Sequence, residues 1–343
     1  MRPLSTPPTA AVTTPTDGEL AWWAPLSVLR PDVGARLPPV GRPFRVAFVG
    51  QRTYFEVCSQ SSPSPVVDPT FVEFRSGSDG TALLARLRSL DPHVVVVFRP
   101  EIVPAGLLRD LDALTLGFLT EPLPRPDEVG HPDLDRRLQD LAMVDADQFD
   151  RIVAFDPHIR TAAARYLPVW RAEPLPVADE VFSPRLEPRS GSRSLFVGRS
   201  TPHREEWLLP AKHLYDLMHV EHGVFGPDLA DLARDFLVAI NLHNEPYPSF
   251  ENRVPLHLAV GNLVISEALS PTNGLEPGLD FLLAEDADDL VSYLGLIADD
   301  PQRFHPVRAR GHLKAEAFRA SRVYARLLLD LLLDVAEFGR RSP

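Results

Sequence analysis

From Phe44 onward, short continuous apolar runs alternate with stretches whose apolar residues recur at helical spacing. "FRVAFVG", "FVEFR", "HVVVVFRPE", "TLGFLTEP" and "FDRIVAFDP" read as strands. "GTALLARLRSL", "AGLLRDLDAL", "LDRRLQDLAMV" and "IRTAAARYL" read as the helices between them. The β-branched run at 94–97 has no polar alternation, the pattern of a strand covered on both faces. Residues 172–193, rich in Pro, Gly and Ser, read as a linker. The alternation then restarts with "SLFVGR", "HVEHGVFG", "LVAINLH" and "NLVISE" as strands. "REEWLLPAKHLYDL", "PDLADLARDF", "ENRVPLHLAVG", "DADDLVSYLGLIADD" and "SRVYARLLLDLLLDVAEF" read as helices, with Pro210 kinking the first or ending its first part. Strand and helix in alternation predict βαβ units and mostly parallel sheets. The pattern predicts two successive open α/β units with a hinge between them, and a ligand beyond the C-terminal strand ends in the cleft.

Composition narrows this picture. The chain has 343 residues, long enough for two domains. Residues 1–43 are rich in Pro, Thr and Ala and read as an arm, with Trp22 and Trp23 available to dock it. The net charge of -12 argues against a nucleic-acid partner, which needs a basic face. Only Lys212 and Lys314 are lysines, so a phosphate contact falls to Arg or backbone N–H groups. Cys58 is the single cysteine, which fits a reducing compartment and supplies too few ligands for a Cys-based zinc site. The early residues lack a continuous apolar run and no segment has the length of a membrane span, so a soluble cytoplasmic protein is expected.

Several motifs are missing. Neither lysine follows a glycine, which excludes an ordinary P-loop. No G-x-G-x-x-G follows a predicted strand, and neither G-x-S-x-G nor H-E-x-x-H occurs. His219 and His222 stand three apart without an evident third ligand, and Asp145 and Asp147 read as a solvated turn.

The chemistry therefore gathers in loops after second-half strands. In "GRSTPHRE", Gly198 permits close backbone approach, while Arg199, Ser200, Thr201 and Arg204 supply donors at a helix N-terminus. Ser200 and Thr201 can equally cap that helix, with Glu205 as partner. In "NLHNEPYPSFENRVP", His243, Asn244, Glu251, Asn252 and Arg253 form a polar run between apolar flanks. Arg253 lies in a helix first turn, where the dipole disfavours cations, and a bound diphosphate would reverse that. Glu251 can then accept from ribose hydroxyls or cap the helix; His243 can equally be a satisfied core histidine. Asn273 and Gly274 mark a turn whose N–H groups could line a sugar pocket, with Glu276 within it, and "FGPD" at 225–228 could flank a base.

These stretches, about 194–290, resemble the C-terminal domain of GT-B glycosyltransferases, and most of all the group related to spore-maturation glycosyltransferase-like proteins. That group has an Arg-Val-Phe-Glu helix start, Ala-x-Gly, an apolar strand, and Gly-x-Asp before a last strand. Arg253, Val254, Ala259, Gly261, Gly278 and Asp280 stand in those places. Leu256 stands where the group has the Glu that holds ribose, and Glu251 lies five residues earlier.

The resemblance implies two Rossmann-like domains facing across a cleft: 44–180 for the acceptor, 194–318 for a nucleotide-diphosphate sugar, and 319–343 a helix crossing back. It implies no cofactor beyond that co-substrate and no essential metal, with arginines and helix dipoles carrying the leaving diphosphate. Arg199, Arg204 and Arg253 are expected to do so. The acceptor could be a small molecule, a glycan or a protein. An inverting enzyme needs a base; Glu56, Glu121 and His158 follow first-half strands, and Glu121 in "FLTEPLP" is the first choice. A non-catalytic nucleotide- or sugar-binding protein and a nucleotide-sugar epimerase are the alternatives.

Overall fold

The structure is a computed structural model that describes residues 33–39, 41–125, 132–186, 191–244 and 248–340. Most of the N-terminal arm, with Trp22 and Trp23, lies outside them.

The described residues contain two parallel sheets. The first has β1 (Phe44–Gly50), β2 (Val67–Glu73), β3 (Val94–Phe98), β4 (Leu114–Leu119), β5 (Arg151–Ala154) and β6 (Val169–Ala172), in the order β2-β1-β3-β4-β5-β6. The second has β7 (Ser194–Val197), β8 (Leu217–Val220), β9 (Val238–Asn241), β10 (Leu263–Ser266) and β11 (Leu282–Leu283), in the order β8-β7-β9-β10-β11. Each order reverses once beside its first strand: between β1 and β3, and between β7 and β9. Such a reversal opens a crevice at the C-terminal strand ends.

The helices of the first half are α1 (Arg52–Phe55), α2 (Gly80–Leu90), α3 (Pro132–Leu141) and α4 (Arg160–Ala163). Those of the second are α5 (Pro202–Leu214), α6 (Gly226–Arg234), α7 (Arg253–Val260), α8 (Ala287–Asp299) and α9 (His305–Ala315). Finally α10 (Ala320–Phe338) returns to the first half. Its Tyr324 hydroxyl donates to the Cys58 carbonyl at 2.7 Å, and Arg151 of β5 pairs with its Asp334.

Sequence periodicity places α2 on its observed bounds. Asp79 caps it by accepting from Thr81 N, and β3 is buried throughout, as its unbroken apolar run requires. Four expectations need correction. "AGLLRDLDAL" forms turns rather than a helix, because Asp145 accepts from Gly106 N and pairs with Arg109, folding the segment against the loop before β5. "IRTAAARYL" is helical only at its start, and "VWRA" beyond it is an edge strand on β5. Pro210 does not end the first part of its helix, since it lies inside α5, which continues past it to Leu214. The predicted linker is largely structural: Leu175, Val177, Ala178, Val181 and Phe182 are buried, Ala178 N donates to Val57 O, and Val177 bridges to Arg319. One apolar cluster runs from the first sheet through these residues to the buried face of α7. Leu256 belongs to it.

Candidate functional site

A cavity of about 620 Å³ lies between the C-terminal ends of the two sheets. Six arginines (Arg99, Arg136, Arg137, Arg199, Arg204 and Arg253) line it against three carboxylates, Glu121, Asp133 and Glu251. A chain of charge -12 thus concentrates cationic groups in this crevice, the pattern of an anion site.

The second-half wall is built around Gly198, the residue after β7. A Cβ there would lie 2.9 Å from Arg253 Nη1 and 3.1 Å from Arg204 Nη1. With φ at +153, the position also disfavours a side chain. Two guanidiniums therefore converge on a backbone point that only glycine leaves open.

Arg204 is fixed from all sides. It donates from Nε to the carbonyls of Leu242 (3.1 Å) and His243 (3.0 Å), from Nη2 to Leu242, and from Nη1 to Arg199 O (3.0 Å). It thereby ties the end of β9 to the loop after β7, across the crevice between them. Its guanidinium sits over the Phe196 ring. Arg253, in the first turn of α7, donates from Nη1 to Val197 O at 2.6 Å and pairs through Nη2 with Glu251. Burial, and then the neighbouring Arg204 charge, push the Arg253 guanidinium down to about 9. A guanidinium nonetheless keeps its proton at neutral pH, so the shift records an under-compensated positive charge.

His243 is buried and neutral. Its Nε2–H donates to Ala268 O at 2.8 Å and its Nδ1 accepts from Ser249 at 3.2 Å; burial holds it below the ordinary imidazole range. Glu267 accepts from His243 N at 2.6 Å and lies 2.8 Å from His203 Nε2. It had no sequence signal, because it reads as the polar residue ending "NLVISE". His219 contacts Gly198 O at 2.7 Å and so props the glycine loop, while His222 is exposed.

Of the residues singled out in the sequence, Glu121, Gly198, Arg199, Arg204, His243, Asn244, Glu251, Asn252 and Arg253 line the cavity. Ser200 and Thr201 do not. Ser200 bonds Glu205, and Thr201 caps α5 by accepting from Arg204 N while its hydroxyl donates to Asn244 O. Asn273 and Gly274 also lie off the cavity lining, because Lys314 of α9 holds their turn through Gly274 O. Asn252 turns toward the first half, where its Nδ2 lies 3.7 Å from Cys58 Sγ. Leu256 offers no carboxylate to the cavity, and Glu251 pairs with Arg253 instead.

On the opposite wall Glu121 sits between Arg137 Nε (3.2 Å) and Arg99 Nε (3.7 Å). Glu56 and His158 are not cavity-lining: Glu56 pairs with Arg52, and His158 Nδ1 lies 3.4 Å from Ser270 Oγ. Sequence reasoning missed Arg99, although it directly follows β3 at the first sheet's reversal. Its backbone is left-handed (φ 63, ψ 76), a conformation that costs a non-glycine residue about 1–3 kcal/mol and marks sites under constraint. Among the described residues, no group of three or more His, Cys, Asp and Glu is placed to hold a metal ion, and no helix is long and apolar enough to cross a membrane.

No protein-family model matches this chain, and no curated protein matches it. Solved structures do. HepE from Anabaena in complex with UDP-glucose superposes with a TM-score of 0.55 at 11% identity, over 84% of this chain and 99% of that one. Sucrose-phosphate synthase from Thermosynechococcus elongatus gives 0.54 at 13% identity, over 85% and 99%. A glycosyltransferase from Rickettsia africae gives 0.50 at 10% identity, over 85% and 98%. At these identities the likeness is one of architecture. The chain has the GT-B fold, two Rossmann-like α/β halves that face each other across a cleft.

Proposed function

We propose that this protein transfers a sugar from a nucleoside-diphosphate donor to an acceptor hydroxyl, with the donor diphosphate seated over Gly198. The observation that carries this is the convergence of Arg204 and Arg253 on that glycine, at the crevice between β7 and β9. The N-terminus of α5 lies one turn beyond and adds the positive end of its dipole. The complex of HepE with UDP-glucose supports the same donor class on the same fold. The likeness of Arg253, Val254, Ala259 and Gly261 to the spore-maturation group is kept as the finer assignment. With its single cysteine buried, a reducing cytoplasmic setting is assigned too.

In the transfer, the bond between the sugar's anomeric carbon and the diphosphate oxygen breaks. A bond from the acceptor oxygen to that carbon forms, and the acceptor proton passes to Glu121. Arg253 and Arg199 meet the charge that develops on the leaving oxygen, in place of a metal ion. Arg204, already bonded to three backbone carbonyls, holds the two strand ends at the right separation. Glu251 is the counter-ion of Arg253. A diphosphate displaces it and leaves it to accept from ribose hydroxyls, the task of the missing acid at Leu256.

Calorimetric titration with UDP, GDP and ADP tests this. One of them is expected to bind, and Arg253→Met to weaken it about 100-fold, the range for truncating one partner of a buried charge pair. Equal affinity in the variant, or binding of none of the three, overturns the assignment.

A further inference from the structure

The first-half wall carries hydrogen-bond donors that its own carboxylates leave unfilled. Arg99 bonds Glu101 through Nε at 2.8 Å, and its two terminal amino groups have no hydrogen-bond partner among the described residues. Arg137 reaches Pro122 O from Nη1 at 3.4 Å, and its Nη2 likewise has none. The Thr120 hydroxyl, also on this wall, is buried without a partner among the described residues. Glu121 is the one cavity-lining carboxylate facing both guanidiniums. Behind Arg99, burial pushes the Glu101 carboxyl above its ordinary range, while its hydrogen bond to Arg99 pulls it back down. Asp133 is engaged by Arg136 and by Arg199 of the opposite wall.

We propose that this wall is a subsite for an oxyanion carried by the acceptor: the molecule that receives the sugar bears a carboxylate or a phosphate. The inference rests on the transfer reading and specifies its acceptor. Ionised carboxylate oxygens only accept hydrogen bonds and phosphate oxygens chiefly do; the two guanidinium forks offer only donors, and the Thr120 hydroxyl beside them can add another. A neutral sugar hydroxyl can accept from the forks but carries no charge, so it forgoes the charge-assisted, two-pronged pairing that an oxyanion makes with a guanidinium. The left-handed backbone at Arg99 fits this role, because it turns the chain sharply just where the side chain enters the cavity. Glu121 remains between the two arginines, beside the bound anion, to take the proton of the acceptor hydroxyl.

The test is calorimetric titration of the full chain, in saturating UDP, with glucose, glucuronate and glucose 6-phosphate. At least one anionic probe is expected to bind about 10-fold tighter than glucose, and the two together tell carboxylate from phosphate recognition. The double variant R99Q/R137Q is expected to lose that preference while binding UDP as the parent does. Arg137→Gln alone, at a half-exposed position, is expected to lose part of it and serves as the folded control. Equal affinity for all three probes, binding of none, or a preference that survives in both variants overturns the subsite. If UDP itself fails to bind, the donor assignment falls. The anion preference and its dependence on Arg99 and Arg137 are then read without it.

Discussion

The two halves share a strand order and face each other, yet they use arginine in opposite ways. In the second half, Arg204 is buried, Arg253 is largely covered, and both are bonded to backbone carbonyls, so their positions are set before any ligand arrives. In the first half, Arg99, Arg136 and Arg137 are partly exposed and pair mainly with carboxylates. Backbone-held guanidiniums suit a fixed group common to every donor. Carboxylate-held ones can exchange partners and suit a variable acceptor. The same topology can thus present a rigid wall and an adaptable one.

The sharpest way to separate the halves is Glu121→Gln. Turnover of donor and acceptor is expected to fall about 10³-fold, the usual reach of general-base catalysis, while nucleotide affinity stays at the parent value. If both fall together, the division of labour between the walls is wrong. Arg204→Met tests the rigid side. It leaves the carbonyls of Leu242, His243 and Arg199 without their donor, and urea denaturation is expected to show a loss of about 3 kcal/mol. A stability within about 0.5 kcal/mol of the parent, the range of ordinary surface substitutions, would mean the wall is not pre-set by that side chain.

Besides His243, each half buries a histidine held well below the ordinary imidazole range. Burial lowers both His93 and His257 from 6.5 to about 4. Between those values the unfolded chain binds a proton that the folded one refuses. Their contribution is therefore full above pH 6.5 and is lost as the pH falls toward 4. His257→Leu is expected to relieve about 2 kcal/mol of the destabilisation at pH 5, read from denaturation at pH 5 and 7.5. An unchanged pH slope contradicts its being neutral. The smallest effect is at the α5 cap: Thr201→Ala is expected to cost about 1 kcal/mol, read from the thermal midpoint, with no matching loss on the first-half wall's anion preference.

Strands were legible wherever the local pattern alone decided them. "HVVVVF" is buried on both faces and has no other use for four valines in a row. Helix α9 was not legible, because tertiary contacts override its face: Arg308 is buried and donates to Gly261 O, and Gly311 presses on the Asp280 carbonyl. A helix that buries an arginine and a glycine leaves no apolar stripe to read. The second-half residues that line the cavity were legible because strand ends in alternating α/β units gather at such a crevice. Arg99 obeys the same rule and was passed over because "FRPE" looks like a plain strand exit. Glu267 and the turning-away of Asn273 depend on partners far along the chain, which no local pattern encodes.

The tether between Glu251 and Arg253 has a consequence for ionic selectivity. A carboxylate two residues away in sequence is present at very high effective concentration. A singly charged ion drifting into the cleft must outcompete it and gains little beyond what it replaces. A polyvalent group that also reaches the Arg199 side chain gains more than one contact at once. The built-in competitor thus filters visitors by valence, and the abundant small anions around the protein do not clog the seat.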